Sequence, residues 1–176
     1  MLDDIKKFIT ILTPCFNEVD NVVELADTIF DIGSKIPDIK INHLFIDNAS
    51  TDGTIEKLRI LAAKYPHIQV ILNNRNYGHI RSPMHGLFQA KGDAVIIMAS
   101  DFQDPPVLIK DFIDKWNQGY KSVIAVKKGN NESVGFFIEY ISDTSLNDKL
   151  NTKVEVSGEY KTKKINIGII GAGSFI

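Results

Sequence analysis

The 176-residue sequence is short of the features that mark several large protein classes. It has a single cysteine, Cys15, so no internal disulfide can staple it and a disulfide-built secreted scaffold is excluded. No apolar run approaches the roughly 18 residues that suggest a membrane span. The opening stretch "MLDDIKKFITILTPCFNE" lacks the long apolar core and small-residue cleavage site of a secretory signal. Excess positive charge is missing as well: the formal net charge of -2 gives no global attraction to nucleic acid or to an anionic membrane surface. These absences predict a cytoplasmic chain, soluble or peripheral, with no nucleic-acid partner.

What is present is ordinary globular composition, 44% hydrophobic and 24% charged, on a chain long enough for one domain with a sizeable core. Up to about Val126 the sequence alternates two periods. "FITIL", "INHLFI", "IQVIL", "AVIIM" and "SVIAV" are short, apolar, β-branched runs, and helical spacing fills the stretches between them. Val22, Ala26 and Ile29 form one apolar stripe, and Ile109, Ile113 and Trp116 form another. Strand and helix in alternation predict a doubly wound α/β fold with a mostly parallel sheet. Asp104 before Pro105 and Pro106 reads as the N-cap of the last helix, and Gly119 as its stop. Beyond Lys127 the chain turns polar around one apolar stretch, "VGFFIEYI". The expected organisation is therefore a domain over 1–130, a divergent, partly irregular segment over 131–164, with an irregular tail from Asp143, and a separate strand-like run over 165–176.

In an open α/β sheet, ligands bind outside the carboxyl ends of the strands. Four polar stretches sit there: "TPCFNE", "IDNASTDGT", "NNRNYGH" and "ASDFQDPP". They offer Asn17, Glu18, Asp47, Asp52, Arg75, Asp101 and Gln103 along one edge. If the last stretch is extended, Asp101 and Gln103 project to the same side and can present oxygens to one hard cation, Mg²⁺ or Mn²⁺, with a diphosphate supplying further ligands. The alternative is that Asp101 merely ends a strand. Asp52 in "STDG" has the chemistry of a turn, whereas Asp47, at the exit of a buried strand, is placed to accept hydrogen bonds from a base or ribose. Cys15 reads as a packing residue. His79 and His85 lack the spacing of a zinc site, and Arg75 and Arg81 face phosphate or solvent.

Taken in order, "ILTPCFNE", "IDNASTDGT", "NYGH", "QAKGDAVIIMASDFQDPP" and "WNQGY" resemble the nucleotide-sugar domain of family 2 glycosyltransferases, over about Phe8 to Lys128. "DFQDPP" is similar to the branch related to polyprenyl-phosphate mannosyl- and glucosyltransferases of surface-polysaccharide pathways. The resemblance implies a GT-A fold and transfer of a sugar from a UDP- or GDP-linked donor to an acceptor, a polyprenyl phosphate, at the inner face of the cell membrane. It implies that Pro14, Asn17 and Glu18 line the nucleoside pocket, that Asp47 holds the base, and that Asp101 with Gln103 organises Mg²⁺ or Mn²⁺ and the diphosphate. Asp52 and Arg75 complete the candidate nucleotide-binding set. The chain departs from the family at Asn48 and Ala49, where a second acid or a glycine is common, and at Ala99, where an Asp is common. A noncatalytic nucleotide-binding remnant is the alternative function.

The final run "INIGIIGAGSFI" resembles the first strand and glycine loop of nucleotide-binding oxidoreductases, with Gly171 and Gly173 as the first two glycines. That fingerprint works through a following helix N-terminus and an acidic residue about 20 residues on, within a βαβ unit of about 30 residues, and this sequence supplies neither. The run reads as the cut-short start of a second coding unit, so an NAD-dependent oxidoreductase fragment is the least favoured reading. Its apolar character leaves pairing with a sheet edge or homo-oligomer formation open.

Overall fold

The structure, a computed structural model, describes residues 7–126 and 133–139. Its elements run β1 (Lys7–Cys15), α1 (Val22–Ser34), β2 (Ile39–Asp47), α2 (Thr54–Lys64), β3 (Ile68–Leu72), α3 (Gly78–Gln89), β4 (Ala94–Ile97), α4 (Leu108–Asn117), β5 (Ser122–Val126) and β6 (Ser133–Glu139). Each of the five apolar runs becomes a strand. The chain divides after Ser142 into two units, and every described element belongs to the first. The tail from Asp143 and the glycine run at 165–176 lie outside the described residues.

The six strands form one sheet in the order β3-β2-β1-β4-β6-β5. β1 pairs in parallel with β2 and β4, and β2 with β3, as right-handed crossovers through helices require. β6 pairs antiparallel with both β4 and β5. The sheet therefore runs past the boundary expected near residue 130 and takes in Ser133–Glu139, wedged between β4 and β5. Antiparallel insertion was not legible because an apolar run has the same composition whichever way it points.

Period-two alternation sends the strand residues to opposite faces. On one face Ile9 and Ile11 of β1 and Ala94 and Ile96 of β4 pack with Leu25 and Ile29 of α1 and Ile109, Phe112 and Ile113 of α4. Beside them Cys15 and Phe45 meet Val22, Ala26, Leu58 and Leu61 of α1 and α2. On the other face Leu12, Leu44, Ile46 and Val95 pack with Leu87 of α3. Among the described residues α3 is the helix that covers this face, and Gly86 lets it lie close. A Cβ at Gly86 would come within 2.7 Å of Leu12 Cδ1 and 3.1 Å of Ile46 Cγ2.

The start of α4 corrects the expectation for Asp104. That carboxylate does not cap the helix: its Oδ2 accepts from the Ala99 N–H at 2.9 Å, and the helix begins at Leu108 with Val107 at the N-cap position. The two prolines shift the entry, since the Pro105 and Pro106 carbonyls accept from the Leu108 and Ile109 N–H groups in a tighter first turn. Gly119 does stop the helix, in the left-handed region at φ 93°, its N–H donating to the Trp116 carbonyl.

Candidate functional site

All four polar stretches lie at the carboxyl edge of the parallel strands. The loops after β1 and β2 are stitched to each other. Asn17 adopts φ 57°, a left-handed conformation asparagine tolerates, and its N–H donates to Ser50 Oγ at 2.8 Å while its Oδ1 accepts from the Thr51 N–H at 2.8 Å. The Glu18 N–H donates to Thr54 Oγ1 at 2.9 Å, and Glu18 Oε2 accepts from Asn21 Nδ2 at 2.7 Å. Lys57 Nζ reaches the Val19 carbonyl at 2.7 Å. Pro14, half-buried in β1, sits in register with Ile46 of β2.

Asp47 and Asp52 are spent on this stitching. Asp47 is fully buried at 0% exposure, its Oδ1 accepting from the Ser50 N–H at 2.9 Å and its Oδ2 from the Ser50 hydroxyl. Asp47, expected to hold the base, is bonded here to Ser50, which in turn holds Asn17. The cause is Ala49, at φ 65°, which folds the chain back so that Ser50 lands against the strand end. Asp52 Oδ1 accepts from the Thr54 N–H at 3.0 Å and the Thr54 hydroxyl at 2.6 Å, and its Oδ2 from the Val19 N–H at 3.0 Å. Desolvation raises the Asp52 pKa, but the hydrogen bonds from Thr54 and Val19 outweigh it and hold the carboxyl below its ordinary value. Asp52 thus performs the turn chemistry its sequence suggested, and its direct nucleotide contact is not supported by this geometry.

The sequence reading missed Asn48 as a functional group. Buried at the exit of β2, it uses both ends of its amide. Oδ1 accepts from the Tyr77 N–H at 2.9 Å and from Asn73 Nδ2 at 3.3 Å; Nδ2 donates to Asn76 Oδ1 at 2.8 Å and to the Gly78 carbonyl at 3.3 Å. Asn48 therefore positions the β3–α3 loop, where the exposed Arg75 guanidinium lies over the Tyr77 ring, 4.8 Å from its centroid. The asparagine-rich "NNRNYG" was the signal that could have found it.

The exit of β4 is built differently. Phe102 is in the left-handed region at φ 59°, so Asp101–Gln103 is a tight turn and not the extended segment expected. The two residues still come together: Asp101 Oδ1 accepts from the Gln103 N–H at 3.1 Å. Both side chains are exposed, and among the described residues Asp101 Oδ2 has no partner. No group of three or more His, Cys, Asp or Glu side chains among the described residues could hold a metal ion. The donors present are hard oxygens, a carboxylate and an amide, which suit a divalent cation that draws its other ligands from a diphosphate and water. A metal cage made of protein alone does not fit.

Two buried groups near this edge are structural. Burial, then the charges of Asp47 and Glu18, push the Cys15 thiol well above its ordinary value, and a Ser100 hydrogen bond only partly offsets this. Such a thiol is not a nucleophile. His43 in β2 shares a 2.9 Å hydrogen bond with Thr13 Oγ1 through Nε2; burial, then the charge of His67, lowers its pKa to about 3, so it is neutral.

This arrangement was compared with known proteins. The family model for glycosyl transferase family 2 matches residues 10–174, past the stretch that the sequence motifs cover. The glycosyltransferase YkcC of Bacillus subtilis (strain 168) is 33% identical over 120 residues, 67% of this chain and 36% of that protein. The undecaprenyl-phosphate 4-deoxy-4-formamido-L-arabinose transferase of Pectobacterium atrosepticum is 33% identical over 135 residues, 76% of this chain and 41% of that protein. The chain thus spans less than half the length of these relatives. Two solved structures share the fold. The mannosyltransferase PcManGT of Pyrobaculum calidifontis, in complex with GDP-Man and Mn²⁺, superposes with TM-score 0.61 at 20% identity, over 74% of this chain and 44% of its own. The Mycobacterium tuberculosis glucosyl-3-phosphoglycerate synthase, with Mn²⁺, UDP-glucose and phosphoglyceric acid, gives 0.54 at 18%, over 70% and 45%. The α/β fold with its parallel β3-β2-β1-β4 is shared with these GT-A neighbours. The chain belongs to glycosyl transferase family 2.

Proposed function

We propose that the chain is the donor-binding part of a glycosyltransferase that moves a sugar from a nucleoside diphosphate to a lipid phosphate, a polyprenyl phosphate, at the cytoplasmic face of a membrane. The observation that carries this reading is the β4 exit. There a carboxylate with an unpartnered oxygen among the described residues stands outside the sheet, beside the two stitched loops whose Asn17, Glu18 and Pro14 are left to line a nucleoside pocket. The Met98 N–H donates to the Leu12 carbonyl at 3.0 Å and ties the β4 exit to the end of β1, so donor loop and carboxylate are neighbours.

Asp101 and Gln103 would hold the divalent cation, Mg²⁺ or Mn²⁺, which when bound neutralises the diphosphate leaving group. The neighbours with GDP-Man and with UDP-glucose both contain Mn²⁺, which favours Mn²⁺ without choosing between the two bases. Arg75, exposed and braced on Tyr77, is placed to meet diphosphate oxygens. A phosphate acceptor is already anionic at neutral pH, so attack on the sugar carbon needs positioning and leaving-group stabilisation more than a protein base. The undecaprenyl-phosphate transferases among the relatives support that acceptor class. Among the described residues no helix is long and apolar enough to cross a membrane.

Calorimetry with UDP and GDP, each with Mn²⁺, Mg²⁺ or chelator, tests the reading. Metal-dependent binding of one of the two is expected, followed by sugar release from the matching nucleotide sugar when polyprenyl phosphate is added. Absence of nucleotide binding in every metal condition would end it.

A further inference from the structure

The charges of this chain are unevenly distributed. Between Glu56 and Asp93 there is no acidic residue at all, and those 36 residues hold six of the 20 Lys and Arg and three of the four His. The rest of the chain is left with 14 Lys and Arg against all 22 acids. Residues 57–92 make most of α2, the edge strand β3, and α3; α2 packs on one face of the sheet and α3 on the other, over β1 and β2.

α3 carries the acid-free stretch on a face of its own. Its buried side, Ser82, Gly86 and Leu87, faces the sheet. Away from the sheet the helix carries Ile80 and Phe88, eight residues apart, while Met84 between them is half-buried against the cluster of Leu12, Ile46 and Leu87. Ile80 is 51% exposed and Phe88 75%. Arg81 and His85, four apart, are exposed as well, and Lys91 follows the helix. Arg81 and His85 also line a cleft of about 440 Å³ between α3 and β3, with Asn73 and Asn74 as further polar walls.

We infer that the outward face of α3 is a membrane-docking surface, and that its partner is an anionic phospholipid bilayer. Exposed Ile80 and Phe88 accompanied by cations, with no acid on the helix, match a helix that lies in the headgroup layer, its apolar side chains inserted and its cations on lipid phosphates. The cleft beside Arg81 and His85 gives a headgroup phosphate a place to sit. A nucleic acid would use the cations and gain nothing from Ile80 and Phe88, which is why the bilayer is favoured. The geometry also serves the proposed reaction. The N-terminus of α3 is tied to the β2 exit through Asn48, so a bilayer under α3 brings the donor edge to the surface where a lipid phosphate resides. The inference rests on the lipid-acceptor reading for its purpose but not for its test.

The test is co-sedimentation of the full chain with vesicles of phosphatidylcholine alone, and of phosphatidylcholine with phosphatidylglycerol, containing neither polyprenyl phosphate nor nucleotide. Binding to the anionic vesicles is expected, weakened by salt. The pair Ile80→Ser and Phe88→Ser, and separately Arg81→Gln with Lys91→Gln, should each lower the partition by at least about tenfold. Val107→Ser, which removes an exposed apolar side chain at the start of α4, should leave it unchanged. Nucleotide binding by the same variants checks that the fold and donor site persist, so loss of docking with intact nucleotide binding separates this inference from the proposed function. Equal binding to both vesicle types, equal effects of the Val107 control, or tighter binding to single-stranded RNA than to vesicles would each overturn it.

Discussion

The loops after β1 and β2 and the loop after β4 occupy the same edge of one sheet and have opposite economies of hydrogen bonding. In the first pair, Asn17, Asp47, Ser50, Asp52 and Thr54 satisfy one another, and Asp47 and Ser50 do so in near-complete burial. At the β4 exit, exposed Asp101 makes one local bond among the described residues, through Oδ1, and leaves its other oxygen unpartnered there. Polar residues at a strand end are thus of two kinds: those that hold a loop in shape and those the shape presents. Only the second kind has charge left for a ligand.

Asp101→Ala should separate the two most sharply. Removing an exposed carboxylate costs the fold little, so Tm should hold, while metal-dependent nucleotide affinity falls by about 100-fold, or about 2.7 kcal/mol. Calorimetry with and without Mn²⁺ measures it. Unchanged affinity in Mn²⁺ would place the metal elsewhere and dissolve the contrast.

Asp47→Ala should do the reverse. It leaves the Ser50 N–H buried without its acceptor, a loss of about 1–3 kcal/mol. For a chain of this size Tm falls by about 2–4 °C per kcal/mol. Nucleotide binding should weaken equally with and without metal, because the damage passes through Ser50 to Asn17. A stable variant with binding selectively lost would restore Asp47 to the base.

These two aspartates show what the sequence could carry. Element identity was legible because apolar periodicity is a direct consequence of burial, so β1 to β5 and the α1 and α4 stripes were readable before any coordinates. The binding edge was legible too, because strand direction in a parallel sheet places every β-to-α loop on one side. The aim of individual side chains was not. Whether Asp47 points out or in depends on the φ of Ala49, and whether Asp101 and Gln103 are extended or turned depends on that of Phe102. A left-handed alanine or phenylalanine has no compositional mark, unlike an asparagine such as Asn17. The insertion of β6 escaped for a related reason: the partner of a strand is a long-range choice.

Acidification offers a third handle, because it acts on β2 beneath the stitched loops and not on β4. His43 is neutral in the fold, with a pKa of about 3, and would protonate near the ordinary 6.5 when unfolded. The unfolded chain then binds the extra proton, so His43 lends stability above pH 6.5 that is lost as pH falls from there toward 3. The slope from this one group is at most about 1.4 kcal/mol per pH unit. Denaturant unfolding of the native chain and of His43→Gln, between pH 7 and 4, should show a shallower pH dependence in the variant. Identical slopes would mean His43 is accessible to protons in the native state.

The smallest expected effect is the most discriminating, because Asn48 stands between the two economies. It is buried and fully bonded like Asp47, yet it stands at the exit of β2 on the binding edge. Asn48→Asp keeps the two bonds accepted from the Tyr77 N–H and Asn73 Nδ2 and loses the two that Nδ2 donates to Asn76 and the Gly78 carbonyl. It then sets a carboxylate against two oxygens. The loop that holds Arg75 should loosen, at a cost of about 1 kcal/mol, with faster amide exchange at Tyr77 and Gly78. Nucleotide affinity should drop a few-fold, with or without metal, because only the bracing of Arg75 has changed. A gain in affinity confined to Mn²⁺ would mean that position 48 looks onto the cation, and the β2 exit would then belong with the β4 exit as a presenter of charge.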